Sequence, residues 1–338
     1  MSSAYRQGST QDISQARILS VQSHVVNGYV GNKAAIFPLQ LLGNDVDFIN
    51  SVQFVSQFVH QGQKLSGEEL RTLLDGLQKH NLGNYQYFLT GFIGQPSFLR
   101  EVLAFIKSQK ANPPLSLSPS PSAPIWLCDP VLGDNGKLYT DEALIDIYRT
   151  EVLPATDIIT PNQWELRWLT GLPADTLDDL INCFQHLHVN GPRIIVATSA
   201  AITTPQCEGD QGGGMVPSSL YLVASEYRGA GDDAALEHGA DGRRRVRRGD
   251  MECWSLKFPN LDLAYYGQGD LTAALLLANY HKYRRNLART IEVTLAAVQG
   301  VIERTLRLGD DRVNLDITGS QAEILNPTVV HKAERIPT

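Results

Sequence analysis

Tyr266-Gly267-Gln268-Gly269-Asp270-Leu271 is the stretch on which the reading of this chain turns: a glycine turn that runs straight into an apolar helix, Leu271 to Tyr280. Glycine reaches dihedrals closed to other residues and lets the backbone come close to a ligand. The first N–H groups of a helix have no partner within it, and the helix dipole puts partial positive charge there. Such a turn suits an anion. Asp270 is the odd member, because a carboxylate repels a phosphate held in the same place. It makes sense if it takes the proton from a hydroxyl that attacks the phosphate. Taken alone, G-x-G-D is equally compatible with an aspartate near a helix N-cap, so the weight falls on what precedes it.

Strands alternate with helices along nearly all of that preceding chain. Arg17 to Gln22 reads as a first strand and Ser23 to Asn32 as a glycine-containing loop, followed by a helix that stops at Gly43. Asp47 to Val52 is a second strand, and Ser66 with Glu69 forms a capping box ahead of a helix to His80. Further strands are expected at Tyr87–Gly91, Ile125–Cys128, Asp157–Thr160, Arg193–Ala197 and Leu220–Ala224. Helices are expected at Ser97–Lys110, from Asp141 to Thr150, and at Thr176–His188. Two long helices close the chain, the second from about Asn286 to Leu308 with core periodicity at Ile291, Leu295, Val298, Val301 and Leu306. The pattern predicts an α/β fold: a doubly wound, mostly parallel sheet in an αβα sandwich.

One domain accounts for residues 16–338, preceded by a disordered tail over 1–15. Two surface insertions interrupt it. The proline- and serine-rich stretch near 112–124 precedes a strand, so it belongs at the edge of the sheet away from the ligands. The second, near 225–251, carries Arg243-Arg244-Arg245-Val246-Arg247-Arg248. Acidic neighbours and the lack of interleaved aromatics favour a solvated loop over a nucleic-acid patch.

With 338 residues, 43% hydrophobic and 19% charged, the chain has the composition of a soluble globule. A net charge of −7 gives no reason to expect nucleic acid or an anionic membrane as partner. Cys128, Cys183, Cys207 and Cys253 are scattered without a C-x-x-C pair, which suits a reducing compartment. No secretory signal or membrane-spanning run is visible, so a cytoplasmic enzyme is the expectation. No G-x-G-x-x-G follows the first strand, which argues against a Rossmann dinucleotide site.

Polar residues recur at the strand ends where open α/β sheets bind ligands: Ser23, Asp129, Asp134, Thr160, Asn162, Thr198 and Ser199. Phosphoryl transfer needs neutralised phosphate charge, an aligned acceptor and a base for its proton. Asp270 is the candidate base, and its turn, with Gly267 and Gly269, supplies N–H donors for the transition state. Asp134 and Glu165 are candidates to hold Mg²⁺ through water, since magnesium prefers carboxylate plus phosphate oxygen and keeps part of its hydration shell. Asn162 and Thr198 are neutral donors for phosphate oxygens. Each acid by itself is more readily a helix cap or surface charge; their shared placement at strand ends carries the reading.

Ser23-His24-Val25-Val26-Asn27-Gly28-Tyr29-Val30-Gly31-Asn32 resembles the opening motif of pyridoxal kinases, within the ribokinase-like superfamily. Asn50–Phe54, Leu89–Phe92, Cys128–Asp134 and Ile159–Glu165 are similar in order and spacing, and Gly267–Leu271 resembles the G-T-G-D signature. The likeness spans about Arg17 to Leu308. It implies a homodimer that passes the γ-phosphate of ATP to the 5′-hydroxymethyl group of pyridoxal, pyridoxine or pyridoxamine. By resemblance Asp270 is the proton acceptor and Ser23 contacts the vitamer ring. Asp129, Asn162, Thr198, Ser199, Gln268 and the segment Leu261-Asp262-Leu263 line the nucleotide site, over which Tyr139 closes. Asp134 and Glu165 serve the magnesium–phosphate cluster, with Thr160 and Thr198 near a monovalent cation, K⁺ or Na⁺.

Three features depart from the family pattern. After Phe54 the family continues Ser-Asn-His-Thr-Gly-Tyr, which supplies a threonine and a flap to the vitamer. Here Val55 to Gly62 is shorter and lacks that threonine. Gln268 replaces the threonine of G-T-G-D, with Thr272 where an aromatic is usual, and the arginine-rich insert precedes the nucleotide-contacting strand. Two alternatives to a pyridoxal kinase follow: a kinase-like protein that binds nucleotide or vitamer without efficient chemistry, and a related hydroxymethylpyrimidine-type kinase.

Overall fold

In the computed structural model Arg17–Asn27 (β1) sits between two parallel neighbours and carries the first glycine loop from its carboxyl end. The structure describes residues 15–112, 123–202, 219–229, 245–261, 265–283, 285–309 and 314–338. After β1 come Asn32–Leu41 (α1), Asp45–Ser56 (β2), Gly62–Lys64 (β3), Gly67–Lys79 (α2), Tyr87–Thr90 (β4) and Pro96–Ala111 (α3). Ile125–Cys128 (β5), the short pair Gly133–Asp134 (β6) and Lys137–Leu138 (β7), and Ala143–Ile147 (α4) follow. Then come Ile158–Ile159 (β8), Gln163–Thr170 (α5), Leu177–Asn190 (α6), Ile194–Ala200 (β9) and Ser219–Tyr227 (β10). Met251–Pro259 (β11), Gln268–Lys282 (α7), Leu287–Arg307 (α8), Gln321–Leu325 (α9) and Glu334–Ile336 (β12) complete the described elements.

The main sheet has the order β12-β11-β10-β9-β8-β5-β4-β1-β2-β3. From β9 through β2 every pairing is parallel, whereas β3, β10, β11 and β12 pair antiparallel at the two edges. The parallel strands β4, β5 and β8 are short and apolar, as strands covered on both faces should be. One face is sealed by α2 to α6, with Trp126, Phe88, Phe98 and Phe184 at its centre. The other is sealed by α1, α7 and α8. Helix α7 is buried from Leu271 to Tyr280, wedged between the sheet and α8 and α1. Each fully buried leucine there contributes roughly 1.5–3 kcal/mol, which anchors the turn at the helix start.

Several expected boundaries shift. Strand β2 runs on to Ser56 and turns back into β3, so much of the shortened segment after Phe54 is sheet. The second insertion is narrower than 225–251. Ser225, Glu226 and Tyr227 belong to β10, and Met251 already pairs with Tyr227 in β11. Those positions look like loop because they are polar. They are nevertheless buried, since Ser225 hydrogen-bonds His188 and Glu226 pairs with Arg193 and Arg228. Of the arginine run, Arg248 bonds Asp178 and Asn182, while Arg243 and Arg244 lie outside the described residues. So do the first fourteen residues and 113–122.

Candidate active site

The glycine turn and the first loop meet at one point. At Gly267 φ is +86°, and a β-carbon there would collide with the carbonyl of Tyr29. At Gly31 φ is +56°, and a β-carbon would collide with Ser23. The two glycines therefore let two stretches of backbone, far apart in sequence, pack directly against each other. Across that contact the Gly31 backbone comes near the carboxylate of Asp270. Burial pushes the Asp270 carboxyl up from its ordinary value, and the nearby Gly31 backbone partly opposes this. Asp270 is in the first turn of α7 with the N–H groups of that turn beside it, and it keeps part of its surface open to the cleft.

That cleft is a single cavity of about 1450 Å³ along the carboxyl ends of the parallel strands. Ser23, Asp129, Asp134, Tyr139, Thr160, Asn162, Glu165, Thr198, Ser199, Gly267, Gln268, Gly269 and Asp270 all line it. Leu261 does not, and Asp262 and Leu263 lie outside the described residues. At one end, Val25, Val52 and Phe54, with Val30 and Phe92 against them, form a small apolar cluster separate from the main core. Ser23 and Ser51 stand beside it, and His60 stacks on Phe54 at 5.4 Å. At the other end the walls are Thr198 and Ser199 of β9, Leu220 and Leu222 of β10, and Phe258, Asn260, Thr272, Val298 and Gln299. Asp270 and Asp129 lie between the two ends; a β-carbon on Gly269 would sit 3.7 Å from Asp129 Oδ2.

Two buried carboxylates, Asp129 and Glu165, share this middle region with the half-buried Asp270. Asp129 follows β5 and accepts from the Thr160 hydroxyl at 3.2 Å. Its carboxyl is pushed well up by burial, then by the nearby charges of Glu165 and Asp270. Glu165 is pushed up to about 8 by burial, against the pull of backbone N–H groups from Asn162, Leu132 and Gly133. It also closes a capping box with Asn162, whose Oδ1 accepts from the N–H groups of Trp164 and Glu165 at 2.9 Å. The Asn162 amide also donates to the Gly133 carbonyl at 2.8 Å. Both side chains thus pin the β5–β6 loop to the start of α5 while facing the cavity.

Carboxylates this close, each driven towards its neutral form, make a setting that a divalent cation would relieve. Among the described residues no group of three His, Cys, Asp or Glu side chains forms a ready-made cage. Among the described residues the cavity lining includes one lysine, Lys64, and no arginine. The set therefore fits an ion that arrives with phosphate oxygens and its own water, as magnesium does.

The sequence reading did not anticipate several features. β6 and β7 form a hairpin around Asn135 (φ +50°) and Gly136 (φ +74°), which presents Asp134 and Tyr139 over the cavity. The Asn-Gly pair was the available signal. The amide of Gln268 turns back to the Tyr265 carbonyl at 3.1 Å, so its length does not crowd the turn. The shortened segment after Phe54 makes a tight turn in which the Ser56 hydroxyl accepts from the N–H groups of Phe58 and Val59. Its tip reaches the opposite wall: Phe58 packs edge-on against Tyr266 at 5.0 Å, and Gln57 donates to Asn314 at 2.8 Å.

A parallel-centred αβα sandwich with a glycine turn and a half-buried aspartate midway along a two-ended cleft defines a small-molecule kinase of the ribokinase-like class. The family model for phosphomethylpyrimidine kinases matches residues 117–215. Curated relatives extend over nearly the whole chain. A pyridoxal kinase of Arabidopsis thaliana is 39% identical over 332 residues, covering 94% of both chains. That of Homo sapiens is 34% identical, covering 94% of this chain and 98% of its own. Among solved structures, pyridoxal kinase from Leishmania donovani in complex with ADP and pyridoxamine superposes with a TM-score of 0.80 at 27% identity. It covers 96% of this chain and 100% of its own. Plasmodium falciparum PdxK with AMP-PNP and PL gives 0.76 at 28% identity, covering 96% and 99%. The chain belongs to the pyridoxal kinase family.

Proposed function

We propose that this kinase transfers the γ-phosphate of ATP to the 5′-hydroxymethyl group of pyridoxal, and also of pyridoxine and pyridoxamine. The observation that carries the reading is Asp270, at the start of α7 beside the Gly31 backbone and midway between the apolar slot and the β9–β11 end of the cleft. The slot of Val25, Val52, Phe54 and Phe92 suits a flat heteroaromatic ring, with Ser23 as its polar contact. The far end takes the nucleotide against Asn162, Thr198 and Ser199, with the Asp134–Tyr139 hairpin above it. The relatives' complexes with ADP and with AMP-PNP support a nucleotide as one of the two ligands.

In this arrangement Asp270 accepts the hydroxyl proton as the oxygen attacks, and the first-turn N–H groups of α7 meet the charge that develops on the transferred phosphoryl. Asp129 faces that transfer path across Gly269. Asp134 and Glu165 would hold Mg²⁺ through water, and Thr160 with Thr198 would stand near a monovalent cation. When bound, the metal supplies charge neutralisation for the polyphosphate. No helix among the described residues is long and apolar enough to cross a membrane. A cytoplasmic homodimer belongs to the same proposal, and light scattering of the purified chain tests the dimer.

A coupled assay with ATP, Mg²⁺ and pyridoxal tests the function. Wild type should form pyridoxal 5′-phosphate, and Asp270→Ala should lose turnover while keeping its melting temperature. Unchanged turnover in the variant would remove the assigned base. The absence of the family's threonine after Phe54 favours a second reading, a kinase-like binding protein. Binding of both ligands without product would establish it.

A further inference from the structure

Asn32, the first residue of α1, is fully buried and its carboxamide is saturated. Its Oδ1 accepts from the Ser20 hydroxyl at 2.7 Å. Its Nδ2 donates to the Ile49 carbonyl at 2.9 Å and to Asn50 Oδ1 at 2.8 Å, with the Gln22 carbonyl further off at 3.4 Å. Ser20 in turn accepts from the Gln22 amide at 2.9 Å. One side chain thus ties β1, β2 and the start of α1 together at the level where the β1–β2 register slips between Gln22 and His24. There the single β1 residue Ser23 stands opposite two β2 residues, Ser51 and Val52, and all three face the cavity. The residue before Asn32 is Gly31, whose carbonyl caps the helix through the N–H groups of Ala34 and Ala35.

We propose that Asn32 is a positioning residue for the transfer: its amide fixes Gly31 and the Tyr29–Gly31 backbone on which the Gly267 turn ahead of Asp270 packs, together with the stretch of β1 that carries Ser23. This inference rests on the kinase reading above. Asn32 touches neither the cleft nor a reacting atom. It acts by making the two ends of one loop a single rigid body, so that the base and the vitamer contact keep their spacing. A misplacement of about 1 Å in such a geometry can cost on the order of a hundredfold in rate.

The alternative is that Asn32 merely holds the core together, and Asn44 provides the comparison. Asn44 is also buried, follows the other end of α1, and donates to the Leu39 carbonyl at 3.0 Å. Asn32→Asp keeps the size and the acceptor for Ser20 but loses the donors to Ile49 and Asn50. Asn50→Ala removes one acceptor and is the milder test if Asn32→Asp does not fold. With pyridoxal, ATP and Mg²⁺, kcat should fall about 10- to 100-fold in Asn32→Asp and by a smaller factor in Asn50→Ala. The KM for ATP should stay within about twofold of wild type while the pyridoxal Kd rises, since only the Ser23 end is disturbed. Asn44→Ala should melt earlier yet keep kcat within about twofold. Equal kcat losses in the Asn32 and Asn44 variants, or a loss of melting temperature alone, would overturn the proposal. Wild type that forms no pyridoxal 5′-phosphate would instead overturn the kinase reading. The pyridoxal and AMP-PNP affinities of the same variants would then still decide whether Asn32 positions Ser23.

Discussion

A β-carbon at Gly267 meets the Tyr29 carbonyl, whereas one at Gly269 meets only Asp129 Oδ2 at an ordinary 3.7 Å. Gly267 also has φ +86°, where an L-residue costs about 1–2 kcal/mol before any collision is counted. Gly267→Ala should therefore lose at least ~2 kcal/mol of unfolding free energy together with turnover, as read by a urea midpoint and the coupled assay. Gly269 is helical and unstrained, so alanine there should leave stability unchanged or raise it by up to about 1 kcal/mol. The added methyl would nevertheless stand in the path between Asp129 and the reacting groups, so kcat/KM should fall. A Gly269→Ala variant that is both stable and fully active would show that the phosphate does not pass that way. Asp270 itself supplies a pH prediction. A base must be ionised to act, and burial raises the pH at which this one ionises. The acid limb of kcat/KM should therefore lie above the ordinary aspartate range, and no such limb should remain in the residual activity of Asp270→Ala.

The β2–β3 hairpin forms a bridge across the cleft. Phe58 and Tyr266 are both largely exposed, yet they meet edge-on, one residue ahead of Gly267. An edge-to-face pair of this kind contributes about 0.5–1.5 kcal/mol, too little to matter for global folding but enough to hold a hairpin closed. Phe58→Ala should therefore leave the melting temperature nearly unchanged and raise the KM for pyridoxal several-fold, with the KM for ATP unaltered. Equal shifts in both constants would argue that the bridge does not belong to the vitamer end. The hairpin also shows where the sequence stops being legible. The αβα order, the capping boxes at Ser66, Asn162 and Thr176, and the glycine turn follow from local chemistry that each segment carries within itself. Edge-strand pairing depends on which residues meet across the sheet. The strand signal in the sequence therefore ends at Val52 although β2 runs on to Ser56, and the polar end of β10 reads as part of an insertion. At the site, residue types and strand ends pointed to the carboxylates. The Gly31 backbone and the Asn32 amide act through backbone geometry that no motif spells out.

Across the molecule, Asp129, Glu165 and Asp270 make the cleft a centre of electrostatic cost. All three carboxyls titrate higher in the folded chain than in the unfolded one, chiefly because burial disfavours their charge. The folded state therefore binds these protons more tightly. Stability contributed by the raised values is fully present below the unfolded carboxylate range and is lost as pH rises through the folded values. For Glu165 that window runs from about 4.5 to about 8. A ligand that brings positive charge to these acids binds the folded state alone and stabilises it by mass action, more strongly the more of them are ionised. Melting temperature without ligand should therefore fall between pH 5 and pH 8. The increment given by AMP-PNP with Mg²⁺ should grow over the same interval and shrink when the metal is removed with EDTA. In Glu165→Gln the pH slope should flatten, because the amide does not ionise. The capping hydrogen bond from the Asn162 N–H can survive on the amide oxygen, which separates loss of charge from loss of the α5 start. A slope unchanged in that variant would move the source of the pH dependence away from the cleft.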